Sequence, residues 1–548
     1  MEGSKARQFQ QEHPALSARQ QEMRASDSSV SWLTRTPLST WNPFNIWTLT
    51  RILAALIGGL VLRLWMMQAF PQTGGDTLVY GNIATNILLH GQFALADGSG
   101  VLHSTLIRLP GYPFFLAACF KLFGVANYRA VAWLQIALEL ASCLLLADFV
   151  RRIWNPRAAL NTLWLATMCP FTAVYATAPL TESLTFDCLV LALWSLYLAI
   201  SGCSIFPRPE EDTSIQHQPV ALDQARKWVP HLCRGTIATK VGEHEPQPNN
   251  STIPLTFFTL AVSAAALLRP DGALVAFALW PALIFSRPAN TTFRSALRKA
   301  ALVAALSILP FIAWTARNAS TFHLFEPLAP RYATDPGEDP HLGWQHWVKT
   351  WCLDFTCTSE IYWNAPDGPI DFADLPNWAF NSPAQRAQTA QLFAEYNADT
   401  PTNQQITPSL DARFQALADQ RAAERPIFVH ILMPLGRLAD MLLRPRVENL
   451  TIDLRWWQYW LHRSETRFSY VYAGVNLLFL ILGLWGFRYR PALWPYMAAY
   501  VVLRCALLAT IEAPETRYTL EFFPILFALG GITLRQIFRR QPKTDAQQ

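Results

Sequence analysis

Charge is what this sequence lacks. Only 15% of its 548 residues are Asp, Glu, Lys or Arg, against about 25% in a soluble globular chain, while 51% are hydrophobic and 13% aromatic. That shortage excludes an ordinary soluble domain and points to the membrane. An apolar core near the N-terminus is also missing. Residues 1–45 are polar, rich in Gln and Ser, and carry Lys5, Arg7, Arg19, Arg24 and Arg35. A cleavable signal peptide would place a short apolar run there, so this stretch reads as a disordered cytoplasmic tail. The nine cysteines fall mostly in apolar stretches, where a thiol behaves as a small hydrophobe, and no histidine pattern accompanies them to suggest a zinc site. The net charge of +5 is modest, and no nucleic-acid partner is expected.

What is present is a series of about ten apolar segments, each near the roughly 20 residues that a transmembrane helix needs. They run over about 47–70, 128–150, 158–178, 183–201, 253–268, 272–286, 297–316, 469–487, 491–511 and 518–536. The fold class is therefore an all-α polytopic membrane protein. Short loops rich in Lys and Arg face the cytoplasm. With the N-terminus inside, these are the loops with Arg151, Arg152 and Arg157, with Arg287, Arg294, Arg298 and Lys299, and with Arg488 and Arg490, followed by the tail 538–548. The core spans 46–317, with a proline-containing cytoplasmic linker at 202–252 and C-terminal transmembrane helices at 468–537.

Two segments are then left outside. One is the first loop, 71–110. The other, 318–467, is too long for a plain connection and reads as an extracytoplasmic helical domain. Its stretch PIFVHILMPLGRLADMLLRPR suits a helix lying along the membrane interface. Cys352 and Cys357 fall in this domain, where an oxidising compartment would permit a disulfide; two buried thiols fit the spacing as well.

Ionisable groups at membrane depth or at helix ends are costly and mark function by default. Most of them collect on the outer face: Asp76 after the first segment, Arg108 before PGYP, Glu182 in PLTES, Arg269 and Asp271 in RPDG, Arg317 in ARN, and Glu512, Glu515 and Arg517 in EAPETRY. Each has a structural explanation of its own. Asp76 suits the N-cap of a surface helix beginning at Thr77, Glu182 suits a helix start, and Pro270, Asp271 and Gly272 form a turn signature. Arg63, inside the first segment, suits snorkelling to a lipid phosphate or substrate binding. The combination argues for more. A cap needs no arginines around it, whereas group transfer from an anionic lipid needs an acid or base together with cations for the phosphate, a role that the planar guanidinium fork fits.

GGDTLVYGNIATNILLHGQF followed by LIRLPGYPFFLAACFKLFG, and then PLTESLTF, LLRPDGALV, WTARNASTF and ETRYTLEFFPIL in the same order, resemble the family 39-like glycosyltransferases of the GT-C class, which include protein O-mannosyltransferases and lipid A aminoarabinose transferases. The resemblance implies a GT-C-like bundle in a bacterial inner membrane, with its active site facing the periplasm or exterior. It implies transfer of a sugar from a polyprenyl-phosphate donor to a glycan, lipid or protein acceptor, with membrane lipids as the surroundings. It also implies Asp76 as catalytic base and Glu182 as a second catalytic acid, with Tyr80, Arg108, Tyr112, Arg269, Asp271, Arg317, Glu515, Arg517 and Tyr518 as substrate-binding residues. Many relatives carry two adjacent acids where this chain has Asp76 alone, so no metal ligand is named and a divalent cofactor is left open. For a base role the Asp76 pKa is expected to be raised. The rival class is a transporter or lipid flippase; against it, no paired repeat of interrupted helices is visible.

Overall fold

The structure, a computed structural model, describes residues 46–70, 73–201, 252–288, 291–365, 368–398 and 406–538. The tail 1–45, nearly all of the linker 202–252 and almost the whole of the C-terminal tail lie outside the described residues. The chain divides into two units, Met1–Arg51 and Ile52–Gln548. Of the first, only the opening of helix α1 (Ile46–Ala69) is described; all that follows concerns the second.

From helix α2 (Asp76–His90), the chain passes through a short antiparallel hairpin, β1 (Ala94–Ala96) and β2 (Leu102–Ser104), into α3 (Gly111–Phe123). Asn86 donates to the Ala94 carbonyl, and the Asn82 side chain accepts from the Ala96 amide, so the hairpin is tied to α2 by two asparagines on one helix face. The helices α4 (Tyr128–Ile153), α5 (Pro156–Thr167), α6 (Pro170–Thr177), α7 (Thr181–Ser201) and α8 (Thr252–Leu268) follow. Next come α9 (Ala273–Leu279), α10 (Ala282–Phe285) and the long α11 (Phe293–Phe322). The segment expected at 158–178 is broken before Pro170, whose ring cannot continue the ladder of the preceding turn. The 13-residue α3, which was not among the expected segments, packs against α2.

Six described stretches are long and apolar enough to cross a membrane: Thr48–Ala69, Tyr128–Ile153, Thr181–Ser201, Phe293–Phe322, Arg463–Tyr489 and Thr516–Ile537. All ten expected segments are helical, but four of them appear here as shorter or broken helices, so the count of full-length spans is nearer six than ten. The bundle core is dense in aromatics: Phe171 meets Tyr472 and Phe523 edge-on, with ring centroids 4.8 and 6.1 Å away. Such pairs add to the stabilisation that burial provides.

Residues 342–424 build a second core. Trp347 lies between Trp344 and Trp351, and Phe393 and Phe414 pack around the tryptophans. The helices here are α12 (Leu342–Lys349), α13 (Pro383–Ala398) and α14 (Pro408–Glu424). The fully buried Arg421 donates to Thr350 and to the Ala379 and Trp378 carbonyls, closing this part around one cation. Cys352 and Cys357 are joined as a disulfide. The stretch expected at the interface is a helix sharply bent from α14, by 102°. It ends as α15 (Met433–Leu443) with Ile431, Leu432, Leu435 and Leu443 exposed. The chain closes with α16 (Arg463–Gly486), α17 (Trp494–Leu508), a 3-10 turn at Thr516–Phe522 and α18 (Phe523–Ile537).

Arg63 contradicts both of its sequence readings. It is fully buried, with its Nε 2.5 Å and its Nη2 2.6 Å from the two Glu139 carboxylate oxygens, and it donates to the Gly59 and Thr167 carbonyls. It neither snorkels nor faces a cavity, because Glu139 on α4 offers a closer anion than any headgroup.

Candidate active site

A cavity of about 1230 Å³ opens where the ends of these helices meet the 318–467 segment. One wall is made by Gly74, Asp76, Tyr80, Arg108, Glu182, Arg269, Asp271, Glu515, Arg517 and Tyr518; another is made by Arg331, Tyr332, Trp344, Tyr362 and Trp363. Asp76 is held at the mouth of α2. The helix begins at Asp76 itself, with Gly75 as N-cap in a positive-φ conformation (φ 54°) and no side-chain capping bond. This corrects the capping expectation: Asp76 stands in the first turn, where a carboxylate suits the helix dipole, and its oxygens are directed elsewhere. Thr77 donates to the Pro179 carbonyl at 3.3 Å, which fixes the start of α2 beside the start of α7 and so sets Asp76 near Glu182.

Arg108 Nη2 donates to Asp76 Oδ1 at 2.7 Å, and Arg517 Nη2 donates to Asp76 Oδ2 at 3.0 Å. Burial works against ionisation of this carboxyl, but Arg517 and Arg108 outweigh it and hold the pKa down at about 2. The raised pKa expected from the sequence is thus reversed, because a membrane-edge carboxylate answers to its nearest cations before its dielectric. Arg517 also pairs with Glu515 (2.7 Å) and lies 3.6 Å from Glu182. Glu515, which also accepts from the Tyr518 hydroxyl, is pushed up by its burial against the pull of Arg517.

Behind this first row lies a second. Arg269 reaches Glu182 (2.9 Å), Asp271 (3.1 Å) and Glu521 (3.3 Å), and Arg504 reaches Asp271 (2.5 Å) and Glu521 (2.9 Å). Arg504 also donates from two nitrogens to the Tyr518 carbonyl, which fixes the backbone next to Arg517. The turn signature RPDG forms a 3-10 turn. A Cβ at Gly272 would stand 2.0 Å from the Ala265 carbonyl oxygen, so this turn folds back onto α8 only with glycine there, and Asp271 is thereby delivered to two arginines.

The structure therefore brings together Asp76, Tyr80, Arg108, Glu182, Arg269, Asp271, Glu515, Arg517 and Tyr518. Tyr112 stands one layer back, its ring 5.0 Å from Tyr80 and its hydroxyl on Gln135. Arg317 is apart from the group: it donates to the Thr105 and Phe93 carbonyls at 2.8 Å each, packed by Phe93, Trp314 and Phe322. It anchors α11 to the first loop. Arg504 and Glu521 escaped notice because they sit inside apolar runs, yet a lone charge in such a run was the signal that could have found them. Among the described residues no group of three or more His, Cys, Asp or Glu is placed to hold a metal ion.

Helical stretches of membrane length beside a charged cavity define a multi-pass membrane protein with a buried carboxylate–guanidinium site. Residues 108–204 match the family model described as dolichyl-phosphate-mannose-protein mannosyltransferase, a segment that holds Arg108, Tyr112 and Glu182. This match supports the resemblance to GT-C glycosyltransferases that the motifs carry. No curated protein sequence matches the chain. Among solved structures, the archaeal oligosaccharyltransferase AglB from Archaeoglobus fulgidus, in complex with an inhibitory peptide and a dolichol-phosphate, is similar at 12% identity and a TM-score of 0.44, over 90% of this chain and 50% of that one. ArnT from Cupriavidus metallidurans bound to undecaprenyl phosphate is similar at 15% identity and a TM-score of 0.35, over 89% and 78%. This chain thus spans half the length of the archaeal protein.

Proposed function

We propose that this protein is an integral membrane glycosyltransferase that moves a sugar from a polyprenyl-phosphate donor to an acceptor hydroxyl, with inversion, on the extracytoplasmic face. The observation that carries this reading is the Arg108–Asp76–Arg517 arrangement on the wall of a cavity large enough for a sugar and its acceptor. It sets two guanidinium forks, suited to phosphate oxygens, around the one carboxylate of the site that is most open to the cavity. The family match over residues 108–204 supports the same chemistry. The disulfide at Cys352 supports an oxidising side for this domain.

In the proposed reaction the acceptor oxygen attacks the anomeric carbon while its proton passes to an Asp76 carboxylate oxygen. The bond between the anomeric carbon and the phosphate oxygen breaks with its electron pair going to the phosphate. Arg108 and Arg517 meet the charge that develops on this leaving group, a preorganised stabilisation worth more in a water-poor site than in bulk. Arg269 is held by three carboxylates and Arg504 by two, so their part is to fix Glu182, Asp271 and the Tyr518 backbone in place.

The test is reconstitution in liposomes with labelled undecaprenyl-phosphate sugars, reading which sugar is lost and to what. Asp76→Asn is expected to be folded and slower by about 10²- to 10⁴-fold, the usual contribution of a general base. Movement of a solute or lipid with no donor consumed would overturn the reading.

A further inference from the structure

The arginines of the site are already committed. Asp76, Glu182, Asp271, Glu515 and Glu521 face Arg108, Arg269, Arg504 and Arg517, five carboxylates to four guanidinium groups. An anionic headgroup entering the cavity finds all four already paired with carboxylates, so it competes with a carboxylate for them. Four of the five acids are poor candidates for displacement. The Glu182, Glu515 and Glu521 side chains are 2%, 5% and 0% exposed, and Asp271, also held by two arginines, is 17% exposed. Asp76 is 29% exposed and lines the cavity. It follows Gly74 and Gly75, around which a Cβ would meet nothing within 4 Å, so the backbone at the start of α2 has room to turn.

We propose that Asp76 is an internal competitor of the donor phosphate. It occupies Arg108 and Arg517 while the site is empty and is displaced from both when the phosphate arrives. The inference rests on the glycosyltransferase reading above and adds a control to it. A carboxylate clamped by two guanidinium groups is a poor proton acceptor, and the same carboxylate released from them is a competent one. Phosphate binding thus frees the base at the moment the sugar is in place, and an empty site keeps it masked.

The test is a binding measurement, independent of turnover. The full-length protein in detergent is titrated calorimetrically at neutral pH with farnesyl phosphate, a short polyprenyl monoester, and with farnesol as the uncharged control. Removing the competitor in Asp76→Asn is expected to tighten farnesyl phosphate binding by about 5- to 150-fold, the size of a typical coupling between linked binding equilibria, with farnesol unchanged. Asp76→Ala serves as the second variant should the asparagine fold poorly or keep one arginine through its amide oxygen. Equal or weaker binding by the folded variants, beside a wild type that binds, overturns the competition while leaving the phosphate site intact. Binding by neither wild type nor variants removes the phosphate site itself, and the proposed function with it.

Discussion

Replacing Glu139 by Leu should destabilise the bundle far more than replacing Glu139 and Arg63 together. The guanidinium of Arg63 makes four hydrogen bonds, two to Glu139 and one each to the Gly59 and Thr167 carbonyls, and both side chains are at most 1% exposed. Removing the carboxylate alone leaves a buried cation with two carbonyls and no hydrogen-bonded carboxylate, at a cost of about 3–5 kcal/mol. Against a total stability on the order of 5–15 kcal/mol, that is a large part of the whole. The pair joins α1 to α4 and, through Thr167, to the break between α5 and α6, so the loss should also loosen the helix junction behind Phe171. Arg63→Met with Glu139→Leu removes both charges at similar volume, and buried pairs exchanged in this way are often neutral or stabilising. The assay is thermal or denaturant unfolding of the detergent-solubilised protein as a double-mutant cycle, wild type, two single variants and the double. A double variant as unstable as Glu139→Leu would refute the reasoning, because the penalty would then lie in lost packing and not in an orphaned charge.

Three further outcomes follow from named contacts. The Asp76 carboxyl, held at about 2 against an ordinary 3.8, contributes stability that is present above the ordinary value and is lost as pH falls through about 2; the contribution is about 2 kcal/mol. An acid titration of unfolding stability should therefore show wild type converging on Asp76→Asn between about pH 4 and 2, and parallel curves would argue that the two arginines do not hold the carboxylate in solution. Replacing Cys352 and Cys357 by Ser opens a short loop and should cost roughly 2 kcal/mol. Because Thr358 donates to the Pro514 carbonyl next to Glu515, a rise in donor KM should accompany it, and an unchanged KM would separate this loop from the site. Arg317→Met should lower stability by about 1–3 kcal/mol through the stranded Thr105 and Phe93 carbonyls while farnesyl phosphate affinity stays, whereas Arg517→Met should lose that affinity; titration of the two variants side by side distinguishes them.

The parts of this molecule that could be read from the chain are those where one residue type reports one environment. Apolar segments reported helices, since a backbone taken out of water must pair its own amides and carbonyls, and all ten stretches are helical. Length was less legible. Pro170 and Pro281 interrupt apolar runs that stay apolar on both sides, and α3 is 13 residues long, too short for a window built for a span. At the site, the acids and arginines at the ends of apolar runs, Arg317 excepted, line the cavity, but position does not fix direction. Arg317, like Arg269, follows an apolar run, yet it turns to backbone carbonyls, because Phe93, Trp314 and Phe322 box its guanidinium in, and their arrival at one place depends on a hairpin more than 200 residues upstream. The state of Asp76 was hidden for the same reason. Its burial was foreseeable from a membrane-edge position and argued for a raised pKa; the two arginines that reverse the sign lie 32 and 441 residues away in sequence. A carboxylate's proton affinity is set by its nearest charges, and long-range charge contacts are the part of a fold that local sequence carries least.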